Sequence, residues 1–285
     1  MRYYGYPSTG GSRLVAEADD GTYDLTAVKP DLASFGDLAR AAAVTETGVD
    51  DVAERLVDRA PEYDPTDAPR APGADEVWAA GVTYAISEQA REAESGMPDM
   101  YIDVYDAERP EVFLKATPGR TVGPGEAVGV RQDSDWNVPE PELGVVLHRG
   151  DVVGYTIGND VSSRAIEGAN PLYLPQAKVY DRCCALGPCI ASPGTVGDPH
   201  DLGMSMTIDR DGERVFEGST STDETVRTCE ELVDYYTRHN AVPERAVLLT
   251  GTSIVPPDEF TLRAGDSVTI DIEGIGTLEN HVVTV

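Results

Sequence analysis

Within 39 consecutive positions the chain carries Glu140-Pro141-Glu142, Gly158-Asn159-Asp160 and Gln176-Ala177-Lys178. Three carboxylates and a lysine amid strand-forming sequence are the raw material of a divalent-cation site with a cationic side chain beside it. On a strand, residues two apart share a face. The run Glu142-Leu143-Gly144-Val145-Val146-Leu147 has the composition of a strand. Leu143, Val145 and Leu147 then take one face, and Glu140 and Glu142 point together from the other at its start. Prolines at 139 and 141 remove two backbone donors and hold that start extended. Two carboxylates side by side repel unless a cation lies between them or one takes up a proton. The plainer reading is a pair of solvent-facing glutamates in a very acidic protein. Asp160 also has two readings, as the N-cap of a short helix predicted after it or as a third oxygen ligand. Two Glu and one Asp suit a hard cation such as Mg²⁺, Mn²⁺ or Ca²⁺, and leave positions open for water and substrate.

Composition gives the lysine its weight. The chain has 51 Asp plus Glu against 22 Lys plus Arg, a formal charge of −29, and only three lysines: Lys29, Lys115 and Lys178. Such acidity with lysine almost absent matches adaptation to a cytoplasm of molar salt, where charge repulsion is screened to within about 3 Å and acidic surfaces stay hydrated. Where exposed lysines have been exchanged away, those that remain are candidates for specific work. So negative a surface excludes nucleic acid and anionic membrane as partners, since phosphate binding needs a basic footprint. Met1-Arg2-Tyr3-Tyr4-Gly5 leads into polar sequence, unlike a signal peptide, and no apolar run approaches the roughly 18 residues of a membrane span. The four cysteines (Cys183, Cys184, Cys189, Cys229) lack metal-binding spacing and read as buried thiols of a cytoplasmic protein.

The elements that must position these residues are mostly strands. In the first 70 residues, strands are predicted at Tyr3–Tyr6, Arg13–Glu17 and Thr22–Leu25, followed by helices Phe35–Ala43, capped by Ser34, and Val49–Arg59. A proline-rich stretch, 60–73, reads as a linker. The expectation is a small α+β domain over 1–70 and a larger one over 71–285. The larger region has strands predicted at Glu76–Val82, Val112–Lys115, Glu126–Val130, Glu142–Leu147, Val153–Gly158, Met204–Ile208, Arg214–Glu217, Ala246–Leu249 and Ser267–Ile272. Its helices are fewer: Ser87–Glu94, a turn after Asp160, and Thr225–His239 capped by Thr222-Asp223. Many strands with few helices predict an α+β fold built on a mostly-β distorted roll or barrel. The sequence carries no dinucleotide fingerprint, phosphate loop or nucleophile elbow.

Several motifs, in order, resemble the fumarylacetoacetate hydrolase family: Pro139-Glu140-Pro141-Glu142-Leu143, Gly154 through Arg164, Ala177-Lys178-Val179-Tyr180-Asp181, Leu186-Gly187-Pro188, Gly251-Thr252 and Ile275 through Asn280. The resemblance covers about 75–285. It implies a mixed β-roll domain of the family's C-terminal type and a Mg²⁺ held by Glu140, Glu142 and Asp160, with Lys178 beside the substrate and Thr252 near its carboxylate. It also implies a homo-oligomer. One departure matters. Hydrolases of the family carry a lid histidine that activates water, but here Ser87 occupies that place, and the four histidines (148, 200, 239, 281) lie elsewhere. The variant Gly81-Val82-Thr83-Tyr84 through Ser87 and Arg91, with Pro171 through Lys178, resembles the branch that dehydrates 2-keto-3-deoxy sugar acids. The implied reaction converts a 2-keto-3-deoxy-pentonate (2-dehydro-3-deoxy-D-arabinonate or -D-xylonate) to 2,5-dioxopentanoate in oxidative pentose degradation.

That chemistry suits the residues. A 2-keto acid can chelate a cation that polarises its C2 carbonyl and stabilises the enolate left when a C3 proton departs. Expulsion of the C4 hydroxyl follows and needs no attacking water. Lys178 is the expected proton-transfer group, with its pKa brought down by burial and a nearby dication, and Glu111 is a second acid/base candidate. Ser87 and Arg91, four apart on one predicted helix face, are expected to bind substrate, while Arg164 and Asp181 read as supporting residues. An acylpyruvate or β-diketone hydrolase, and a non-catalytic cation- or ligand-binding protein on the same fold, are the alternatives.

Overall fold

The structure, a computed structural model, describes residues 1–9, 11–84 and 107–285. The predicted helix Ser87–Glu94, with Ser87 and Arg91, lies outside the described residues. Along the chain run β1 (Arg2–Ser8), β2 (Gly11–Ala18), β3 (Gly21–Asp24), β4 (Glu76–Gly81), β5 (Glu111–Ala116), β6 (Thr121–Val122), β7 (Ala127–Val130) and β8 (Asn137–Val138). They continue with β9 (Pro141–His148), β10 (Asp151–Asp160), β11 (Ser162–Ser163), β12 (Cys184–Ala191), β13 (Gly203–Arg210), β14 (Glu213–Ser221), β15 (Arg245–Leu249), β16 (Ser267–Ile272) and β17 (Gly276–Thr284).

Among the described residues the larger sheet has ten strands. Nine follow the order β3-β2-β1-β12-β10-β9-β15-β4-β5, and β6 pairs beside β12. A second sheet runs β14-β13-β16-β17-β7. Both orders have two ends, so the sheet-rich α+β class expected from sequence is observed as an open roll, and the closed barrel is not formed. No helix among the described residues is long and apolar enough to cross a membrane.

Strand alternation explains the layering. Leu143, Val145 and Leu147 of β9 face the second sheet, in a core with Met206, Ile208 and Ile270, whereas Val146 on the other face packs with Val77, Leu186, Val247 and Leu249. Each fully buried large aliphatic side chain contributes roughly 1.5–3 kcal/mol, so a one-residue slip of β9 would be costly and the register is fixed. A third cluster, with Tyr3, Leu14, Leu25 and Leu38, joins the N-terminal strands to the helices Phe35–Thr45 and Val49–Val57. Ser34 caps the first of these as expected, its hydroxyl accepting from the Asp37 N–H. The N-terminal hairpin is continuous with the large sheet: Arg2 and Tyr3 of β1 pair with Ala191 and Ile190 of β12. At the other end of β12, Cys184 and Ala185 pair with β6.

Some predicted elements move. β12 and β17 have no counterpart among the predicted strands. β12 contains Gly187 and Pro188, poor strand formers, but pairing on both flanks overrides local preference, and its register with β10 shifts between Tyr155 and Ile157. The predicted helix Thr225–His239 starts later, at Cys229, and ends at Thr237. Its cap is Thr228, because Thr222–Glu224 form a separate 3-10 turn. Lys178 ends a short helix, Leu174–Lys178, and is not on a strand. All four cysteines are free, buried thiols.

Candidate metal centre

β9 and β10 form a hairpin whose two-residue turn, Arg149-Gly150, has positive φ at both positions (54° and 100°), as a type I′ turn requires. The antiparallel pairing therefore returns the end of β10 to the start of β9. Glu142 lies opposite Gly158 and Pro141 opposite Asn159, and the Asp160 N–H donates to the Glu140 carbonyl at 2.9 Å. Residues some twenty apart in sequence thus meet at one end of the sheet. Glu140, Glu142 and Asp160 are buried, and each presents a carboxylate oxygen within 4.8 Å of the others. The alternative of solvent-facing glutamates is ruled out by this burial. So is Asp160 as the cap of the following helix, Arg164–Ala169, whose N-cap is Ser163.

Three cations face the three acids. Lys178 Nζ pairs with Glu140 Oε2, donates to Ser162 Oγ at 2.7 Å, and lies 3.7 Å from Asp160 Oδ2. Arg164 Nη2 holds Glu140 Oε1 at 2.7 Å, and Lys115 Nζ lies 2.6 Å from Asp160 Oδ1. Ser162 Oγ donates to Glu140 Oε2 at 2.6 Å, and the Gly251 N–H donates to Glu142 Oε2 at 2.7 Å. Burial, reinforced by the Asp160 and Glu140 charges, pushes the Glu142 carboxyl well above the usual carboxylate range, against the Gly251 N–H and Lys178. Lys115 shows the opposite balance: burial, the largest single influence, disfavours its charge, but Asp160 together with Cys183 and Cys184 raises its pKa.

The arrangement fits a bound hard cation. Asp160 Oδ2 is buried without a hydrogen-bond partner, beside two further carboxylates, and such groups are rarely left unsatisfied without a ligand. An all-oxygen donor set matches Mg²⁺, and oxygen ligands also serve Mn²⁺ and Ca²⁺.

One cavity gathers the triad with Arg164, Lys178, Phe113, Gly81, Val82 and Thr252. The Phe113 ring lies 5.6 Å from Lys178 Nζ. Glu111 opens β5 opposite Gly81, and a side chain at Gly81 would meet its carboxylate at 1.9 Å. The Glu111 carboxylate therefore lies over a residue lining the cavity. Thr252 Oγ1 accepts from the Ile254 N–H at 3.1 Å. Val82, β-branched yet at φ 54°, sits in a conformation such residues avoid, beside Thr83, whose hydroxyl donates to the Thr250 carbonyl at 2.7 Å. Sequence reasoning missed Ser162, although its i+2 spacing from Asp160 was a usable signal. It also missed that Arg164 grips a ligand.

The turn after β15 is equally constrained. Gly251 has φ +85°, and a Cβ there would lie 2.1 Å from Thr83 Oγ1. Gly251→Ala is expected to cost about 1–3 kcal/mol of stability and to weaken Mn²⁺ binding by displacing the N–H that orients Glu142. Thermal unfolding and Mn²⁺ titration check this; wild-type values in both would show that the turn tolerates a side chain.

Residues 76–283 match the fumarylacetoacetate hydrolase C-terminal family, and the chain belongs to that family. It is 62% identical, over the full length of both chains, to a probable 2-keto-3-deoxyxylonate dehydratase of Haloferax volcanii. It is 46% identical to a 2-dehydro-3-deoxy-D-arabinonate dehydratase of Saccharolobus solfataricus, over 71% of this chain and 70% of that one. A solved 2-keto-3-deoxy-D-arabinonate dehydratase, complexed with magnesium and 2,5-dioxopentanoate, superposes with a TM-score of 0.82 at 34% identity, covering 100% of this chain and 99% of that one. A Haloferax relative accords with the salt adaptation read from composition.

Proposed function

We propose that the protein is a Mg²⁺-dependent hydro-lyase that converts a 2-keto-3-deoxy-pentonate to 2,5-dioxopentanoate. The observation that carries this reading is the buried Glu140–Glu142–Asp160 triad with Lys178 inside its cavity, in a chain whose similar proteins include dehydratases of this substrate class. The two substrate names agree: in the D series, arabinonate and xylonate give the same 2-keto-3-deoxy acid, because only C4 keeps a stereocentre.

Glu140, Glu142 and Asp160 would hold Mg²⁺, and the bound ion would supply Lewis acidity toward the C2 carbonyl. Lys178, which lines the cavity and is held against Glu140 and Ser162, takes the C3 proton as its neutral amine. Glu111 is assigned the complementary proton, delivered to the departing C4 hydroxyl so that it leaves as water. A proton shift from C5 to C3 then gives the C4–C5 enol, whose hydroxyl proton passes to C4 to complete the aldehyde. Thr252 is assigned to the substrate carboxylate, and Ser87 and Arg91 to its hydroxyls. None of the four histidines lines the cavity, which supports elimination over an imidazole-activated hydrolysis. The absence of a nucleic-acid or membrane partner, a cytoplasmic setting and a homo-oligomer complete the reading. The oligomer is supported by the exposed Leu172 and Tyr173 beside the Lys178 helix.

The test offers the purified protein both enantiomers of a 2-keto-3-deoxypentonate and an acylpyruvate, each with Mg²⁺ in molar salt. Formation of 2,5-dioxopentanoate from one enantiomer is expected. Turnover of the acylpyruvate alone would replace the dehydratase with the hydrolase, and binding without turnover of any would leave a binding protein.

A further inference from the structure

We infer that Lys115 is a positioning residue, a buried ammonium that locks the metal ligand Asp160 to the backbone of the reaction-site lysine, Lys178. The inference rests on the reading of the triad as a metal site. An ammonium has three N–H donors and no acceptor. At Lys115 the three partners are Asp160 Oδ1 at 2.6 Å, the Val161 carbonyl at 2.9 Å and the Lys178 carbonyl at 2.5 Å. The side chain is 0% exposed, and a charge buried this completely is retained only where its partners repay the desolvation. A methionine would fill the same space without that cost.

The geometry gives the charge two tasks. By holding Oδ1, Lys115 leaves the other oxygen, Oδ2, for a cation: Oδ2 is the one without a hydrogen-bond partner. By holding the Lys178 carbonyl, it fixes the last turn of a five-residue helix, too short to fix itself. Asp160 and Lys178 come from segments 18 residues apart, and one ammonium sets their separation. Outer partners of metal ligands commonly tune affinity in this way.

The test begins with Lys115→Met, using Mn²⁺ as the probe in substrate-free protein followed by electron paramagnetic resonance. The expected result is a Kd weaker by roughly 10- to 100-fold, and a kcat that stays low at saturating Mn²⁺ because Lys178 has lost its anchor. Leu38→Ala, a cavity variant in the N-terminal cluster, controls for stability and should leave Kd unchanged. A Lys115→Met protein with the Kd of wild type, or one shifted no more than the control, overturns the inference. Wild-type protein that fails to bind Mn²⁺ overturns instead the metal-site reading beneath it. Should Lys115→Met not fold, the native chain still decides. With three lysines in all, ¹⁵N-lysine labelling gives three ammonium resonances, two assigned by Lys29→Arg and Lys178→Arg. The third should exchange slowly and shift on saturation with Mg²⁺; a resonance that exchanges freely, or does not move, refutes the role.

Discussion

Replacing Lys178 with methionine is expected to lower kcat for the dehydration by about 100- to 10,000-fold, the usual contribution of a positioned acid or base. Methionine keeps most of the volume in a pocket bounded by Phe113 and removes the amine assigned to the C3 proton. Glu140 Oε2 keeps the Ser162 hydroxyl at 2.6 Å and loses a competing cation, so Mn²⁺ affinity should hold or rise. A kcat effect with intact metal binding separates proton transfer from site collapse. Exchange of the C3 hydrogens with D₂O refines the assignment. If Lys178 takes the C3 proton, the variant loses exchange and elimination together. Exchange that persists while elimination stops would move Lys178 to a later step, and near-normal turnover would remove it from the chemistry.

Chelation of the metal should abolish turnover, and Mg²⁺ should restore it. Glu142→Gln should resist that rescue, because an amide cannot offer the charge a hard cation prefers. The metal-free protein adds a pH signature. Burial and the Asp160 and Glu140 charges raise the Glu142 pKa above its ordinary value. Between its unfolded and folded pKa values the native state therefore holds more protons than the unfolded chain, so stability falls as pH rises through that window. Mg²⁺ displaces the proton, so the metal-loaded protein should lose this slope and apparent Mg²⁺ affinity should climb with pH. A Tm difference between metal-free and Mg²⁺-saturated protein that widens as pH rises is the expected result. A difference independent of pH would show that Glu142 is already ionised without metal. At a hundredfold excess over Kd, bound metal adds about 2.7 kcal/mol.

Much of this was legible in the sequence because strand periodicity is strict. The alternation along Leu143, Val145 and Leu147 placed Glu142 on the opposite face, and the structure keeps it there with Val146. The sheet-rich class followed from the same count of strands, but closure did not, since pattern says nothing about whether β3 and β5 meet. β12 was hidden because Gly187 and Pro188 are poor strand formers, and only its neighbours make it a strand. Lys115 was marked by the scarcity of lysine, yet two of its three partners are carbonyls of Val161 and Lys178, which no side-chain pattern encodes. Likewise the cap of the last helix moved to Thr228 because Thr222 was taken by a turn of its own.

The pairing along the outer side of β12 has a consequence for solubility in brine. β6 covers Cys184 and Ala185, and β1 covers Ile190 and Ala191; without them the strand beside β10 would present a bare row of amides and carbonyls, a template for joining another chain. Proteins in dilute buffer can lean on like-charge repulsion to keep such edges apart. At molar salt that repulsion reaches only about 3 Å, and a net charge of −29 no longer guards anything at a distance. The first strand of this chain is therefore a fence against aggregation, built from backbone hydrogen bonds that salt does not screen away.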